Sequence, residues 1–266
     1  DHIQEVLEKW EQIDDEIWAK VIVMERNRRV AKAYARAPVL TINGSDEGFD
    51  GFRLGLSGFL NPGRDPKTEE VKRRIGAGIK LKMDPEGSIL VKRSSKSNVY
   101  VKNTLEETSL SNDILKLPNA ALPYETPEKL FDMHKFEENM DRELKRAYPD
   151  RKKLEWQCVT ALAFLRNEEE LLDSPCWILI LNIVALDLLK SRLPLPRRRS
   201  PGVQDKIVRE DEDPYSLSSG SGSGSSGISS RDSKRPAKKE HENGGGVGML
   251  KNLKSSRGRD QSKKGN

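Results

Sequence analysis

The sequence changes character at Pro196, and this break limits what the chain can fold into. Residues 216–230 are almost entirely serine and glycine, and the segments 234–239 and 251–264 are basic and hydrophilic. Such stretches cannot bury enough apolar surface to offset an ordering entropy of about 1–2 kcal/mol per residue. We therefore predict that 196–266 is a disordered basic Ser/Gly-rich tail, and that the packed fold lies within 1–195.

The charge of the chain is divided at the same place. Of the 47 lysine and arginine residues 16 lie in 196–266, together with 9 of the 42 acidic residues, so the tail carries a net +7 and residues 1–195 a net −2. The basic character thus belongs to the tail and does not indicate nucleic-acid binding by the folded part. We expect no direct DNA binding by the folded domain.

Residues 1–17 carry an apolar stripe with helical spacing, formed by Ile3, Val6, Leu7, Trp10, Ile13 and Ile17. This pattern predicts an amphipathic N-terminal helix that packs its stripe onto the rest of the fold. Residues 18–37 are ambiguous, because their first half is β-branched whereas their second half would also accept a helix. Short strands are predicted at 39–42 and 52–56.

A helix is predicted to begin near Asp65. Aspartate is a good N-cap, and Pro66 suits the first helical position. Glu69 and Glu70 lie early in this segment and three basic residues lie late, as the helix dipole prefers. Gly76 can end the helix.

A β-hairpin is predicted to follow it. Residues 79–83 and 88–91 flank Asp84-Pro85-Glu86-Gly87, which is typical of a type I turn. Because side chains alternate along a strand, Lys80 and Lys82 should share one face, with the apolar residues on the other. Another strand is expected at 98–101.

The C-terminal half mixes helix and strand signals. Thr126-Pro127 predicts the start of a helix that Pro149 closes. Residues 156–165 and 176–181 are apolar runs of strand length, and leucines at helical spacing in 183–193 predict a last helix.

No constellation of catalytic or metal-ligating residues emerges from the sequence. The three histidines, His2, His134 and His241, lack His-x-x-x-His spacing, and both cysteines, Cys158 and Cys176, lie in apolar runs. We therefore predict a non-enzymatic chain with no cofactor and no metal. Two thiols and no secretory leader indicate the cytoplasm, possibly with the nucleus as well. No apolar run approaches the roughly 18–20 residues that span a bilayer.

Five segments, in the same order, resemble the second Mad homology (MH2) domain of Smad signalling proteins. They are PVLTING at 38–44, FRLGL at 52–56, RRIGAGIKL at 73–81, KLP at 116–118 and SPCWI at 174–178. The resemblance implies a mainly β fold over 18–195, a β-sandwich related to forkhead-associated (FHA) domains with a helical bundle at one end and loops plus a helix at the other. It also implies that 18–37 forms two strands turning near Asn27.

The chain departs from the Smad pattern in the loop before SPCWI. In Smads this loop is basic and binds phosphoserine, whereas here 166–173, which we call the acidic loop, holds one base and four acids. A phosphoserine carries about −1.5 to −2 charges and would be repelled there. The long tail and the added N-terminal helix also differ from Smads, and these features resemble the non-Smad group typified by insect Expansion. We expect no DNA-binding first Mad homology domain within these 266 residues.

We therefore predict a protein-protein interaction domain, a scaffold or regulatory module that is not driven by receptor phosphorylation. The alternative is a Smad-type signal-transducing transcription regulator. We expect a monomer or weak self-association, because both halves of the phosphoserine contact between Smad subunits are missing.

Two surfaces are candidates for binding a protein partner of unknown identity. The first is a basic strip formed by Lys80, Lys82 and Lys92, for which the other interpretation is a solvated sheet face. The second is the acidic loop. Its candidate residues are Arg166, Glu168, Glu169, Glu170 and Asp173.

Overall fold

Ten strands form two β-sheets in the computed structural model, which describes residues 2–103 and 105–193. The strands are β1 (Ala19–Glu25), β2 (Arg28–Ala35), β3 (Val39–Asn43), β4 (Arg53–Gly55), β5 (Ile79–Met83), β6 (Ile89–Arg93), β7 (Val99–Lys102), β8 (Pro127–Phe131), β9 (Val159–Phe164) and β10 (Trp177–Asn182). The first sheet has the order β2-β1-β10-β9-β7, and the second has the order β4-β3-β5-β6-β8. The expected tail at 196–266 lies outside the described residues.

Within the described residues, six α-helices accompany the sheets. They are α1 (His2–Glu8), α2 (Pro66–Arg74), α3 (Asn112–Leu115), α4 (Met133–Leu144), α5 (Arg151–Gln157) and α6 (Ile183–Arg192). The helices α4, α5 and α6 pack against one another as a bundle, whereas α2 lies among loops. The β-sandwich with helices is the fold that the resemblance to MH2 domains implied, and the added N-terminal helix is the one that the apolar stripe predicted.

The core lies between the sheets, and alternation along the strands fills it. Val21 and Val23 point inward from β1, level with Ile180 and Ile178 of β10, and they belong to the main buried cluster. The opposite face of the first sheet is also covered. Its second buried cluster consists of Ile22, Met24, Ala161, Ala163 and Trp177. The first sheet is therefore buried on both faces, which explains why all seven residues of β1 are buried.

Several predictions for single elements are confirmed. As the resemblance to MH2 domains implied, the strands β1 and β2 turn at Arg26 and Asn27, where Arg26 adopts φ 52°. The Asp65 carboxylate caps α2 by accepting from the Thr68 backbone N–H at 3.0 Å. Gly76 follows this helix with φ 60°, a left-handed conformation that favours glycine. The predicted hairpin is the β5–β6 pair.

The N-terminal helix is shorter than the predicted 1–17. It ends at Glu8, a 3₁₀ turn spans Trp10–Gln12, and the chain then bends before β1. A straight helix of 17 residues would be about 26 Å long, whereas the bends let the stripe follow the surface of the domain. The apolar residues still pack as predicted: Ile3 and Val6 are buried, and the other members of the stripe lie partly buried against the core.

The predicted helix beginning at Thr126-Pro127 is wrong in its first residues, because Pro127 opens strand β8. This strand lies at the edge of the second sheet, and proline is tolerated as the first residue of an edge strand. The helix α4 begins instead after Asp132, whose carboxylate caps it. The predicted strand at 156–165 is also corrected, because Asp150 caps α5 and the helix continues to Gln157.

Candidate protein-binding surfaces

The basic strip lies on the outer face of the second sheet. Lys80 on β5 stands directly opposite Lys92 on β6, and Lys82 follows two residues along β5 on the same face. Ile79 and Leu81, which alternate with the lysines, are buried beneath. The hairpin therefore holds the three ammonium groups on one side of the sheet, as the sequence pattern predicted.

Two further bases flank the strip, and the sequence analysis missed both. In the strand register, Arg53 of β4 lies beside Thr41 of β3, and Thr41 lies beside Lys80 of β5. On the other side, Lys129 of β8 lies beside Leu90 of β6, and Leu90 lies beside Lys82 of β5. Only the strand order reveals these neighbours, since β4 and β8 are distant from the hairpin in sequence.

The strip has few acidic neighbours. Glu125 pairs with Lys92 at 2.5 Å, and the hydrogen bond from Lys92 is the main cause that lowers the pKa of Glu125. Arg53 pairs with Glu47. Among the described residues, Lys80 and Lys82 form no ion pair. Like charges directly opposite each other on neighbouring strands repel, and Glu125 offsets the charge of Lys92 alone.

Three basic side chains hold the acidic loop against the rest of the domain through hydrogen bonds. Lys67 donates to the Glu168 carboxylate at 2.9 Å, and this hydrogen bond is the main cause that lowers the pKa of Glu168. Arg26 donates to the Asp173 carbonyl at 3.0 Å, and Lys102 donates to the Glu168 carbonyl. Glu169 and Glu170 are exposed. The loop therefore presents these two carboxylates outward.

Arg166 begins the loop but faces other bases. It lines a cavity of about 390 Å³ together with Arg74 and Lys96. The backbone N–H of Leu165 donates to the Asn98 carbonyl at 2.9 Å, which holds this end of the loop against the 94–98 turn. Sequence reasoning missed Arg74 and Lys96, because only the fold brings their segments beside the loop.

The eight predicted residues therefore form two separate surfaces. Lys80 and Lys92 line a shallow depression with Arg53 and Glu125, whereas Arg166 lines the other cavity. No ion pair or hydrogen bond among the described residues joins the basic strip to the acidic loop.

The two cysteines and His134 differ in their exposure to solvent. Both cysteines are free and fully buried, and burial raises the pKa of Cys176 to about 12 and that of Cys158 further. His134 is exposed and lies 3.3 Å from Glu138. The described residues hold no group of three side chains suited to a metal ion, and none of their helices is long and apolar enough to cross a bilayer.

A comparison with protein-family models matches residues 16–183 to the MH2 domain. This match spans more than half of the chain, so the chain belongs to the MH2 domain family, and the resemblance drawn from the five sequence segments is confirmed. MH2 domains are protein-interaction modules, and the chain is accordingly a protein-interaction domain of Smad-like fold.

Solved structures with similarity to this chain come from several other proteins. One is STAT2 in complex with IRF9, at 13% identity over 67% of this chain and 99% of that chain, with a TM-score of 0.47. Another is the IAD domain of interferon regulatory factor 9, at 13% identity over 68% of this chain and 91% of that chain, with a TM-score of 0.43. A third is the FHA1 domain of yeast Rad53, at 11% identity over 74% of this chain and 98% of that chain, with a TM-score of 0.34.

Proposed function

We propose that this domain acts without catalysis, as a scaffold or regulatory module that docks an acidic partner protein on the basic strip. The observation that carries the proposal is that Lys80 and Lys82 lie beside Lys92 on one sheet face, and that neither Lys80 nor Lys82 forms an ion pair among the described residues. Complementary charge at such a surface raises association rates and selects partners more than it raises affinity. Two buried free thiols are compatible with a cytoplasmic or nuclear compartment, where thiols stay reduced.

We also propose that docking does not depend on receptor phosphorylation. Support comes from the acidic loop, which directs Glu169 and Glu170 outward. A phosphoserine approaching this side would meet two carboxylates with no ion-pair partner among the described residues. Like-charge repulsion and desolvation disfavour such a contact.

The test compares two charge-matched triple variants of the full chain. The first reverses the strip with Lys80→Glu, Lys82→Glu and Lys92→Glu. The control reverses Lys116, Lys145 and Lys152 to Glu, which are exposed and form no ion pair among the described residues. Proteins that co-purify with each variant from a cell extract are quantified by mass spectrometry.

We expect the strip variant to lose a defined set of acidic partners that the control retains. Binding of those partners should also weaken as ionic strength rises past roughly 0.1 M, where the screening length falls to about 10 Å. If both variants retain the same partners at low salt, the strip is only a solvated face and the proposal fails.

A Smad-type signal transducer is the second candidate, and one observation favours it. Arg166, Arg74 and Lys96 line one cavity, and neither Arg166 nor Lys96 forms an ion pair among the described residues. Three bases at one cavity could hold a dianionic phosphoryl group. Fluorescence anisotropy with a labelled doubly phosphorylated serine peptide and its unmodified counterpart distinguishes the two functions. A preference for the phosphopeptide that Arg166→Glu abolishes would favour the second candidate, whereas equal binding favours the first.

A further inference from the structure

The N-terminal helix lies on the outer face of the first sheet. The Glu5 carboxylate of α1 accepts from Lys20 of β1 at 2.9 Å, and from Arg29 and Lys32 of β2 at 3.0 and 2.5 Å. Lys32 is paired with the outward-facing Ile22, so these contacts reach the side of the sheet away from the sandwich core. The helix therefore covers a basic patch, which we define as Lys20, Arg29 and Lys32.

The patch holds more positive charge than α1 neutralises. Three cations surround one carboxylate, and among the described residues Glu5 is the only acid that pairs with any of them. Lys20 has a completely buried side chain. The pKa of His2 is lowered, first by desolvation and then by the nearby charges of Arg29 and Lys20. A ligand with a second acidic group would match the patch better than Glu5 alone.

The covering helix is a small tethered unit. It has seven residues, fewer than the roughly 12–15 that an isolated helix needs. Only Ile3 and Val6 are buried, so its helical form depends on the sheet beneath it. A 3₁₀ turn at Trp10–Gln12 and a bend separate it from β1.

We infer that the basic patch is a second docking surface, whose partner is an acidic amphipathic helix and whose internal occupant is α1. The contacts of α1 define the partner chemistry: two apolar residues three apart, with a carboxylate directed between Lys20, Arg29 and Lys32. The excess of two positive charges favours a partner with a further carboxylate one turn away. This surface lies on the first sheet and is independent of the basic strip on the second.

The probe is a fluorescein-labelled peptide with the sequence of residues 1–17, added to the full chain and followed by fluorescence anisotropy. The internal helix competes with it, so the unaltered chain should bind the peptide weakly. Glu5→Gln removes the charge that holds the internal helix, and we expect this variant to bind the peptide at least ten-fold more tightly. Adding Lys32→Glu to that variant should abolish the gain, because Lys32 is exposed enough to be reversed without burying a charge.

The near-ultraviolet circular dichroism of each variant shows whether the sandwich remains folded. Equal peptide affinity of the unaltered chain and Glu5→Gln would overturn the inference, as would peptide binding that survives Lys32→Glu. As a control for reversal of an exposed base elsewhere, Lys145→Glu in the Glu5→Gln chain should leave the affinity unchanged. If Lys145→Glu lowers the affinity as much as Lys32→Glu does, binding is non-specific and the inference also fails.

Discussion

Lys72 and Glu25 form a buried ion pair between α2 and the first sheet. The Lys72 ammonium donates to a Glu25 oxygen at 2.5 Å, and the two side chains are 1% and 2% exposed. Arg64 and Asn61 also donate to Glu25, so one carboxylate ties the loop before α2, the helix and β1 together.

The first prediction concerns this buried pair. Glu25→Gln leaves Lys72 buried without its counter-charge, and we expect a loss of about 3–5 kcal/mol in the free energy of unfolding. Lys72→Met should be milder, because Arg64 still pairs with Glu25. Urea unfolding measures both. Glu70→Gln, which breaks the exposed pair with Arg74, is the control and should change stability by less than about 1 kcal/mol. Equal losses for Glu25→Gln and Glu70→Gln would contradict the prediction.

The second prediction concerns pH. Hydrogen bonds from Lys32 and then Lys20 lower the pKa of Glu5 from 4.5 to about 2. Because the folded pKa lies below the unfolded one, the stabilisation by Glu5 is complete above pH 4.5 and is lost as pH falls toward 2. The stability difference between the unaltered chain and Glu5→Gln should be about 1–3 kcal/mol at pH 7 and should shrink steadily below pH 4.5. Urea unfolding at several pH values tests this, and a difference that stays constant down to pH 3 would refute it.

The third prediction concerns the whole N-terminal segment. Removing residues 1–16 exposes the surface beneath Ile3 and Val6 and deprives Lys20 of its partner. Burial of such apolar side chains contributes about 1.5–3 kcal/mol each at most. We expect a lower melting temperature and a smaller dependence of stability on urea, since less surface is buried on folding. Unchanged values of both would show that the segment is not docked in solution.

The fourth prediction concerns self-association. The outer face of the second sheet carries the basic strip and would repel a second copy, and α1 covers part of the outer face of the first. We expect the monomer mass in light scattering at tens of micromolar, over a range of salt concentrations. A stable trimer mass would contradict this prediction.

Local signals sufficed for elements whose ends are marked by their own residues. Asp65 and Pro66 mark the start of α2, and Gly76 follows its end. The turn at 84–87 joins two strands in which buried and less buried residues alternate. The prediction at Pro127 was wrong, because a proline after threonine suits both the start of a helix and the first residue of an edge strand. Only the pairing of β8 with β6 decides between the two. The same holds for charge, since Glu25 and Lys72 look like ordinary surface residues until the fold brings them together.

The candidate surfaces also contain some residues that local sequence predicts and others that only the fold reveals. The shared face of Lys80 and Lys82 followed from alternation within one hairpin. The contributions of Arg53 and Lys129 required the order of strands across the sheet. Arg74 and Lys96 approach Arg166 through contacts between segments that lie far apart in the sequence.

The burial of both cysteines has a practical consequence. Cys158 and Cys176 are the only two thiols in the chain, and each is sequestered and held protonated at neutral pH. Oxidants and alkylating reagents act on thiolates that they can reach. A single cysteine introduced on the surface would therefore be the sole reactive handle, and spin labels or fluorophores could be attached beside either docking surface without first removing a native cysteine.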